Sequence, residues 1–315
     1  MRHKIVSCFV TGCIAVFSAV YTFCIRPPTP FRTDTIATVS RGSTLKEAAQ
    51  QLKNSGAIRS PFFLELYVHI LRRSKNVIAG GYALNEPQNI FTIGKRIITG
   101  DHRLQTVKVT IPEGSTIVEI AALFSNSLVS FRGKEFIAAT EGKEGYLFPD
   151  TYFFLPTAMP EEIIATMEET FAQKIASVQK NINEFNKPLK DIIIMASIVE
   201  KEAHESTARK MIAGILWERL KIGMPLQVDA TFLYINGKKT YELSLDDLAV
   251  DSPYNTYKNA GLPVGPIGNP GLDSILAAIT PTPSPYLYYL ADKDGETYYA
   301  KTFDEHKRNK EKYLQ

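Results

Sequence analysis

The sequence predicts an α+β protein: an N-terminal transmembrane helix, a small repeat-bearing region, then a larger α+β domain. Three observations carry this. An uncharged run opens the chain, a strand–turn–helix pattern occurs twice, and the second half mixes long helices with a terminal hairpin. At roughly 100–200 residues per domain, 315 residues allow about two domains with a sizeable core. With 44% hydrophobic and 22% charged residues, collagen-like, coiled-coil and wholly disordered classes drop out. A net charge of +3 is too small to imply nucleic acid as a partner. Cys8, Cys13 and Cys24 all lie near the N-terminus, which leaves no disulfide or thiolate metal site for the remainder.

The first element is the run Ile5–Ile25, which contains no charged residue. Twenty-one residues at about 1.5 Å each cover the roughly 30 Å hydrocarbon layer. Arg2, His3 and Lys4 precede it and Arg26-Pro27-Pro28 ends it. Residues 1–4 are therefore expected as a cytoplasmic tail and 5–25 as a single span, with the rest of the chain across the membrane. A cleaved signal peptide would have a shorter apolar region and a small-x-small site. The chain instead reads Tyr-Thr-Phe-Cys-Ile-Arg, and no lipoprotein-type small residues precede Cys24. Residues 26–34, RPPTPFRTD, read as a stiff linker.

The repeat follows. Gly42-Ser43-Thr44-Leu45-Lys46-Glu47 aligns with Gly114-Ser115-Thr116-Ile117-Val118-Glu119 at an offset of 72. Each copy has a β-rich lead (Ile36–Val39, Val107–Ile111), a Gly turn, and Ser/Thr three or four residues before Glu, as a helix capping box requires. Two unrelated strand–turn–helix starts could share this pattern through local physics alone. The pattern is also similar to the LysM carbohydrate-binding module, so residues 35–135 are expected as a LysM-like, peptidoglycan-binding region.

Further along, residues 61–73 read as an amphipathic helix opened by Pro61. Residues 160–182 read as a long helix, acidic at its start and basic toward its end. Helices are expected from Pro188 at N1 to about His204, and over 207–220. Recurrent Pro and Gly make 251–285 an ordered loop region. Leu287–Leu290 and Thr297–Ala300, joined by Asp292-Lys293-Asp294-Gly295, form a hairpin.

Chemistry concentrates at Asp191-Ile-Ile-Ile-Met-Ala-Ser-Ile-Val-Glu200-Lys-Glu202-Ala-His204. The helix is apolar on every side from Ile192 to Val199, hence buried, and two carboxylates stand at its exit. Glu200 and Glu202 differ by about 200° around the helix, so they cannot share a face. A carboxyl against the apolar part would be desolvated and its pKa raised, as a general acid needs. Spacing alone leaves the choice between the two open. It also leaves open a plain helix end with Glu200–His204 and Lys201–Glu205 pairs. Glu200 and His204 have zinc-helix spacing, but the second His is missing and His3, His69, His102 and His306 form no cluster, so no metal is expected. No nucleophile elbow, Walker loop or dinucleotide fingerprint is present.

The remaining dense stretches are EGYLFPDTYFF (144–154), MPLQVDAT (224–231) and SPYNTYKNAGLPVGPIGNPG (252–271). Rings and amides on Pro/Gly-fixed loops suit sugar recognition, although Pro–aromatic packing can equally just fix the loops. At these residues the chain resembles the endolytic murein transglycosylase family (MltG/YceG-like). EGYLFPDTYFF, MASIVEKEA, ERLKIGMPLQVDATFLY, DSPYNTYKNAGLPVGPIGNPG and TPSPYLYYLADKDGETYYAKTFDEHKRN carry the resemblance, in order, over nearly the whole chain. It implies a catalytic domain at 136–315 with Glu200 of IVEKE as the catalytic glutamate.

The resemblance further implies cleavage of the MurNAc–GlcNAc β-1,4 bond within nascent peptidoglycan strands, leaving 1,6-anhydroMurNAc ends. No cofactor is implied. The implied partners are glycan strands, the bacterial inner membrane through one helix with the catalytic domain on its periplasmic side, and peptidoglycan synthases. Gln227, Asp229, Tyr254 and Asn255 are the expected substrate contacts, and Glu144, Asp150 and Asp229 the next carboxyls after Glu200 and Glu202. The rival reading from another class is a non-catalytic peptidoglycan-binding membrane scaffold.

Overall fold

A computed structural model describes residues 2–71, 77–129, 131–238, 242–292 and 295–314, with side chains from residue 10 onward. Helix α1, Arg2–Val20, continues into a π-helical turn, Tyr21–Ile25. Together they cover the expected span. Among the described residues no helix is long and apolar enough to cross a membrane, and the side chains of residues 1–9 lie outside that description. The π turn is not free apolar surface to its end, because Ile25 is buried in a protein core.

That core belongs to the first of two compact units, Met1–Val107 with Leu128–Ser130 and Phe153–Ala158. Strand β1, Thr35–Val39, pairs antiparallel with β2, Gly80–Leu84, with Thr35 opposite Leu84. Helix α2 (Leu45–Asn54) packs on β1, α3 (Pro61–Ile70) packs on α2 and α4 (Ile90–Thr99), and all share one core with the strands. Their inward residues, Ala48, Leu52, Leu64, Val68, Ile93 and Ile97, are fully buried or nearly so. A fully buried side chain of this size contributes about 1.5–3 kcal/mol. The sequence pattern missed β2 and α4. Phe153–Ala158 returns to this unit, where Thr157 and Leu155 fill the space over Gly81 and Gly80.

The second unit holds Lys108–Ser127, Phe131–Tyr152 and Met159–Gln315. The region expected at 35–135 is thus divided: the second repeat copy, from Lys108 onward, goes with the second unit. Locally the copies do match. Strand β3, Val107–Thr110, leads through Gly114 (φ 75°) to α5, Ile117–Ser127, as β1 leads through Gly42 (φ 77°) to α2. Thr44 and Glu47 form the capping box of α2, and Thr116 and Glu119 repeat its hydrogen bonds on α5.

Helix α6 (Gly133–Ala139) precedes strand β4 (Thr151–Phe154), which pairs with β3. The helix expected over 160–182 is two, α7 (Pro160–Ser177) and α8 (Gln179–Phe185), broken where Val178 leaves helical geometry at φ −116°. Helix α9, Leu189–Glu202, takes Pro188 as its N-cap rather than its first residue, and buries every residue from Ile192 to Glu200. Helix α10, Ser206–Lys221, follows. Helices α11 (Ala230–Asn236) and α12 (Leu245–Leu248) are short.

The region expected as loop over 251–285 contains a helix, α13, Leu272–Ile279, which packs on both α9 and α10. Its Ile275, Ala277 and Ala278 are wholly buried, so burial overrides the flanking Pro and Gly. The hairpin is present as β5 (Tyr288–Ala291) and β6 (Thr297–Ala300), with Tyr289 opposite Tyr299; Lys293 and Asp294 of its turn lie outside the described residues. Helix α14, Phe303–Tyr313, closes the chain.

Candidate active site

The apolar run of α9 drives that helix inward on all sides, so its last turn delivers Glu200 into the interior. The Glu200 side chain is 4% exposed. Glu200 is not the bare desolvated carboxyl expected from the pattern. Arg209, in the first turn of α10, donates from Nη2 to Glu200 Oε1 at 2.6 Å, and the Gly271 N–H, just ahead of α13, donates to Oε2 at 2.9 Å. Arg209 is itself fixed by the Ala203 carbonyl at 2.9 Å and by Asp273 Oδ2 at 2.9 Å. A buried ion pair of this kind costs about 3–5 kcal/mol when one partner is removed. The His204 pairing considered from sequence is not the one made.

The turn after β3 packs on the same carboxylate. A Cβ on Gly114 would lie 3.1 Å from Glu200 Cγ and 3.2 Å from Lys201 Cε, so a side chain at this left-handed position would be strained and crowded. Gly114 donates to the Asn269 carbonyl at 2.7 Å, and Asn269 donates to the Ser115 carbonyl at 2.9 Å. Gly268 completes the approach, since a Cβ there would meet the Gly114 carbonyl at 2.4 Å. Asn269, wholly buried, also spends its side chain in three bonds on two other segments: Leu147 N–H donates to Oδ1, and Nδ2 donates to the Ser115 carbonyl and to Glu144 Oε1, each at 2.9 Å. Stretches 114–116, 144–147 and 268–271 therefore meet at one amide.

Glu144 accepts further bonds from Ile117 N–H at 3.2 Å and from the Tyr234 hydroxyl at 3.4 Å. Burial still pushes its carboxyl up to about 7. Tyr234 in turn packs against Tyr254, ring centroids 4.8 Å apart and planes tilted by 48°.

Glu202 faces a separate group. It accepts from the Tyr289 hydroxyl at 2.9 Å, and Asp229 and Arg219 are its charged neighbours. The residue keeps some surface, yet the packing around its carboxyl pushes it up to about 7. Asp229 accepts from the Tyr257 hydroxyl at 2.5 Å; burial first, and then this bond, raise the Tyr257 phenol.

The expected substrate contacts are thus divided. Tyr254 joins the Glu144 group and Asp229 the Glu202 group. Gln227 is exposed, with a left-handed φ of 50°. Asn255 is 0% exposed, and its amide is spent on the Leu248 and Val250 carbonyls and on Tyr257 N–H. It fixes the 248–258 loop and has no group left for a sugar. Among the described residues no three His, Cys, Asp or Glu side chains group closely enough to hold a metal.

Sequence reasoning missed Arg209, Asn269, Gly271 and Asp273. Arg209 carried one local signal, a cation in the first turn of a helix, where the dipole disfavours it. The other three lie in or beside the Gly-Asn-Pro-Gly run, which announced a loop but not its partners.

Comparison with known proteins places this geometry in context. A family model described as the YceG-like family matches residues 37–312. A Bacillus subtilis (strain 168) protein named endolytic murein transglycosylase is 33% identical over 304 residues, spanning 88% of this chain and 84% of the relative. One of the same name from Streptococcus pneumoniae serotype 2 is 31% identical over 313 residues, and the match spans 86% of this chain but 57% of that longer protein. A crystal structure of a yceG-like protein from Listeria monocytogenes is similar at a TM-score of 0.59 and 31% identity, covering 87% of this chain and 98% of that one.

Proposed function

Because the chain belongs to the YceG-like family, we propose that it is a lytic transglycosylase of peptidoglycan, with Glu200 as its acid and base. The observation that carries this reading is the carboxyl at the exit of α9, buried and held by one donor on each oxygen. Such fixing removes rotational freedom at the reacting group before substrate arrives.

Glu200 gives its proton to the oxygen bridging MurNAc and GlcNAc, and the C1–O bond breaks. The muramyl 6-hydroxyl then bonds to C1, and its proton passes to the same carboxylate. One bond forms for one broken; the step draws on protonated Glu200, the carboxylate paired with Arg209 is the form left once that proton is given, and the 6-hydroxyl proton restores the acid. The nucleophile is intramolecular, so one carboxyl balances the reaction and no cofactor is invoked. Strand cleavage of this kind ends or trims nascent chains, which makes their synthases the natural partners.

The same reading includes a membrane anchor. Its support is the apolar surface of the first helix and π turn, where Ile14 is 63%, Phe17 70% and Phe23 71% exposed. The short basic tail then lies in the cytoplasm and the two units on the periplasmic side of the inner membrane. The repeat at Gly42 and Gly114 supports glycan binding of the LysM type.

Purified full-length protein incubated with glycan strands should release fragments with 1,6-anhydro ends, read by mass spectrometry. Glu200→Gln keeps the size but lacks the proton and can accept only one of the two donors; in protein shown to be folded by its thermal midpoint, it should lose about 10²–10⁴ in rate. Strand binding by the parent without any anhydro product would favour the scaffold instead.

A further inference from the structure

The turn that covers Glu200 brings a second carboxyl with it. Glu113 lies between Pro112 and Gly114, and its carboxyl rests flat on Gly271. A Cβ at Gly271 would meet Glu113 Oε1 at 1.9 Å and Cδ at 2.2 Å. Gly271 N–H is also the donor to Glu200 Oε2. One glycine therefore carries Glu200 on its amide and Glu113 over its α-carbon, and any side chain there would expel Glu113.

The two carboxyls differ in what they are committed to. Glu200 is enclosed and ion-paired, whereas Glu113 belongs to an exposed residue and, among the described residues, makes no ion pair. Arg209, whose charge acts on Glu113, already serves Glu200 and Asp273, and the Lys201 ammonium lies over the neighbouring Gly114. Partial burial and then the Glu200 charge push the Glu113 carboxyl above its ordinary range, against the pull of Arg209. The Glu113 carboxylate thus stands within the field of the Glu200 charge, a like-charge approach that is unfavourable in the resting protein.

We propose that Glu113 is a second carboxylate of the reacting centre, facing the sugar ring beside Glu200 and stabilising the positive charge that develops at C1. This rests on the assignment of Glu200 above. Glu113 makes and breaks no bond and keeps its protonation state; Glu200 alone moves the proton. The charge it meets exists only as the bridging bond breaks, so its contribution falls on kcat rather than KM.

The experiment compares full-length parent, Glu113→Gln, Glu113→Asp and Glu200→Gln on the same glycan strands. Glu113→Gln should lower kcat about 10²-fold, leave KM and the thermal midpoint near the parent's, and still yield 1,6-anhydro ends. Glu113→Asp keeps the charge one methylene back and should recover part of the lost kcat. A merely structural side chain gives the opposite order, because Gln is the closer isostere, and that order overturns the proposal. So does a Glu113→Gln variant of parental kcat when Glu200→Gln is inactive. Full activity in Glu200→Gln would instead overturn the reading on which the proposal rests.

Discussion

Two residues separate Glu200 from Glu202 on α9, and the about 200° of helix between them gives the two carboxyls different company. Glu200 has a guanidinium and a backbone N–H; Glu202 has a phenol and a second carboxylate nearby. Spacing could not decide between them, and the decision rests on Arg209 and Gly271, which lie nine and seventy-one residues further along the chain. A consequence can be measured. Burial raises Glu202 from its ordinary 4.5 to about 7, so the folded protein takes up a proton across that interval. The stability this contributes is complete below pH 4.5 and is lost as pH rises through about 7. Glu202→Gln, which cannot titrate, should flatten the fall of the urea midpoint between pH 4.5 and 7 and keep substantial transglycosylase activity. An unchanged pH slope would refute the raised Glu202 carboxyl, and loss of activity in a folded variant would refute the choice of Glu200 over Glu202.

Helix α10 holds Arg209 in place only as well as it packs on α13 and the segment after it. Gly214 is the tightest point, since a Cβ there would lie 2.1 Å from the Thr282 carbonyl. In an exposed helix Gly→Ala stabilises by about 1 kcal/mol. Here overpacking against fixed backbone should reverse the sign, and Gly214→Ala should lose about 1–3 kcal/mol in urea unfolding. Elements with their own periodicity, such as α9, the α7 start at Pro160 and the β5–β6 hairpin, were legible in the sequence. So was each capping box, because a cap is a contact across three residues. Helix α13 was not, because eight residues between Gly271 and Pro281 carry too short a period to outweigh their punctuation. The long helix over 160–182 was read through a break that only the φ of Val178 reveals. Asn269 marks the same boundary for the site: its partners at 115 and 147 are more than a hundred residues away, and no local pattern encodes such pairings.

For the chain as a whole, the anchor is the claim most open to direct test. Full-length protein should remain with the membrane fraction after an alkaline wash, and N-terminal sequencing should begin at Met1. Removal of residues 1–19 should release it, while a cut after Ile25 should also weaken the first unit, whose core includes that side chain. A mature N-terminus beyond Ile25 in the parent would rule the anchor out. The first unit has one more property, set by its discontinuity. Its strand β2 is overlaid by Thr157 and Leu155, which are translated about fifty residues after Val107. At roughly 5–20 residues per second, a ribosome needs about 3–10 s to supply them. Throughout that interval the first 107 residues are present without the last piece of their unit. A premature stop between residues 108 and 152 therefore yields not a shortened second unit beside an intact first one, but a first unit that never closes.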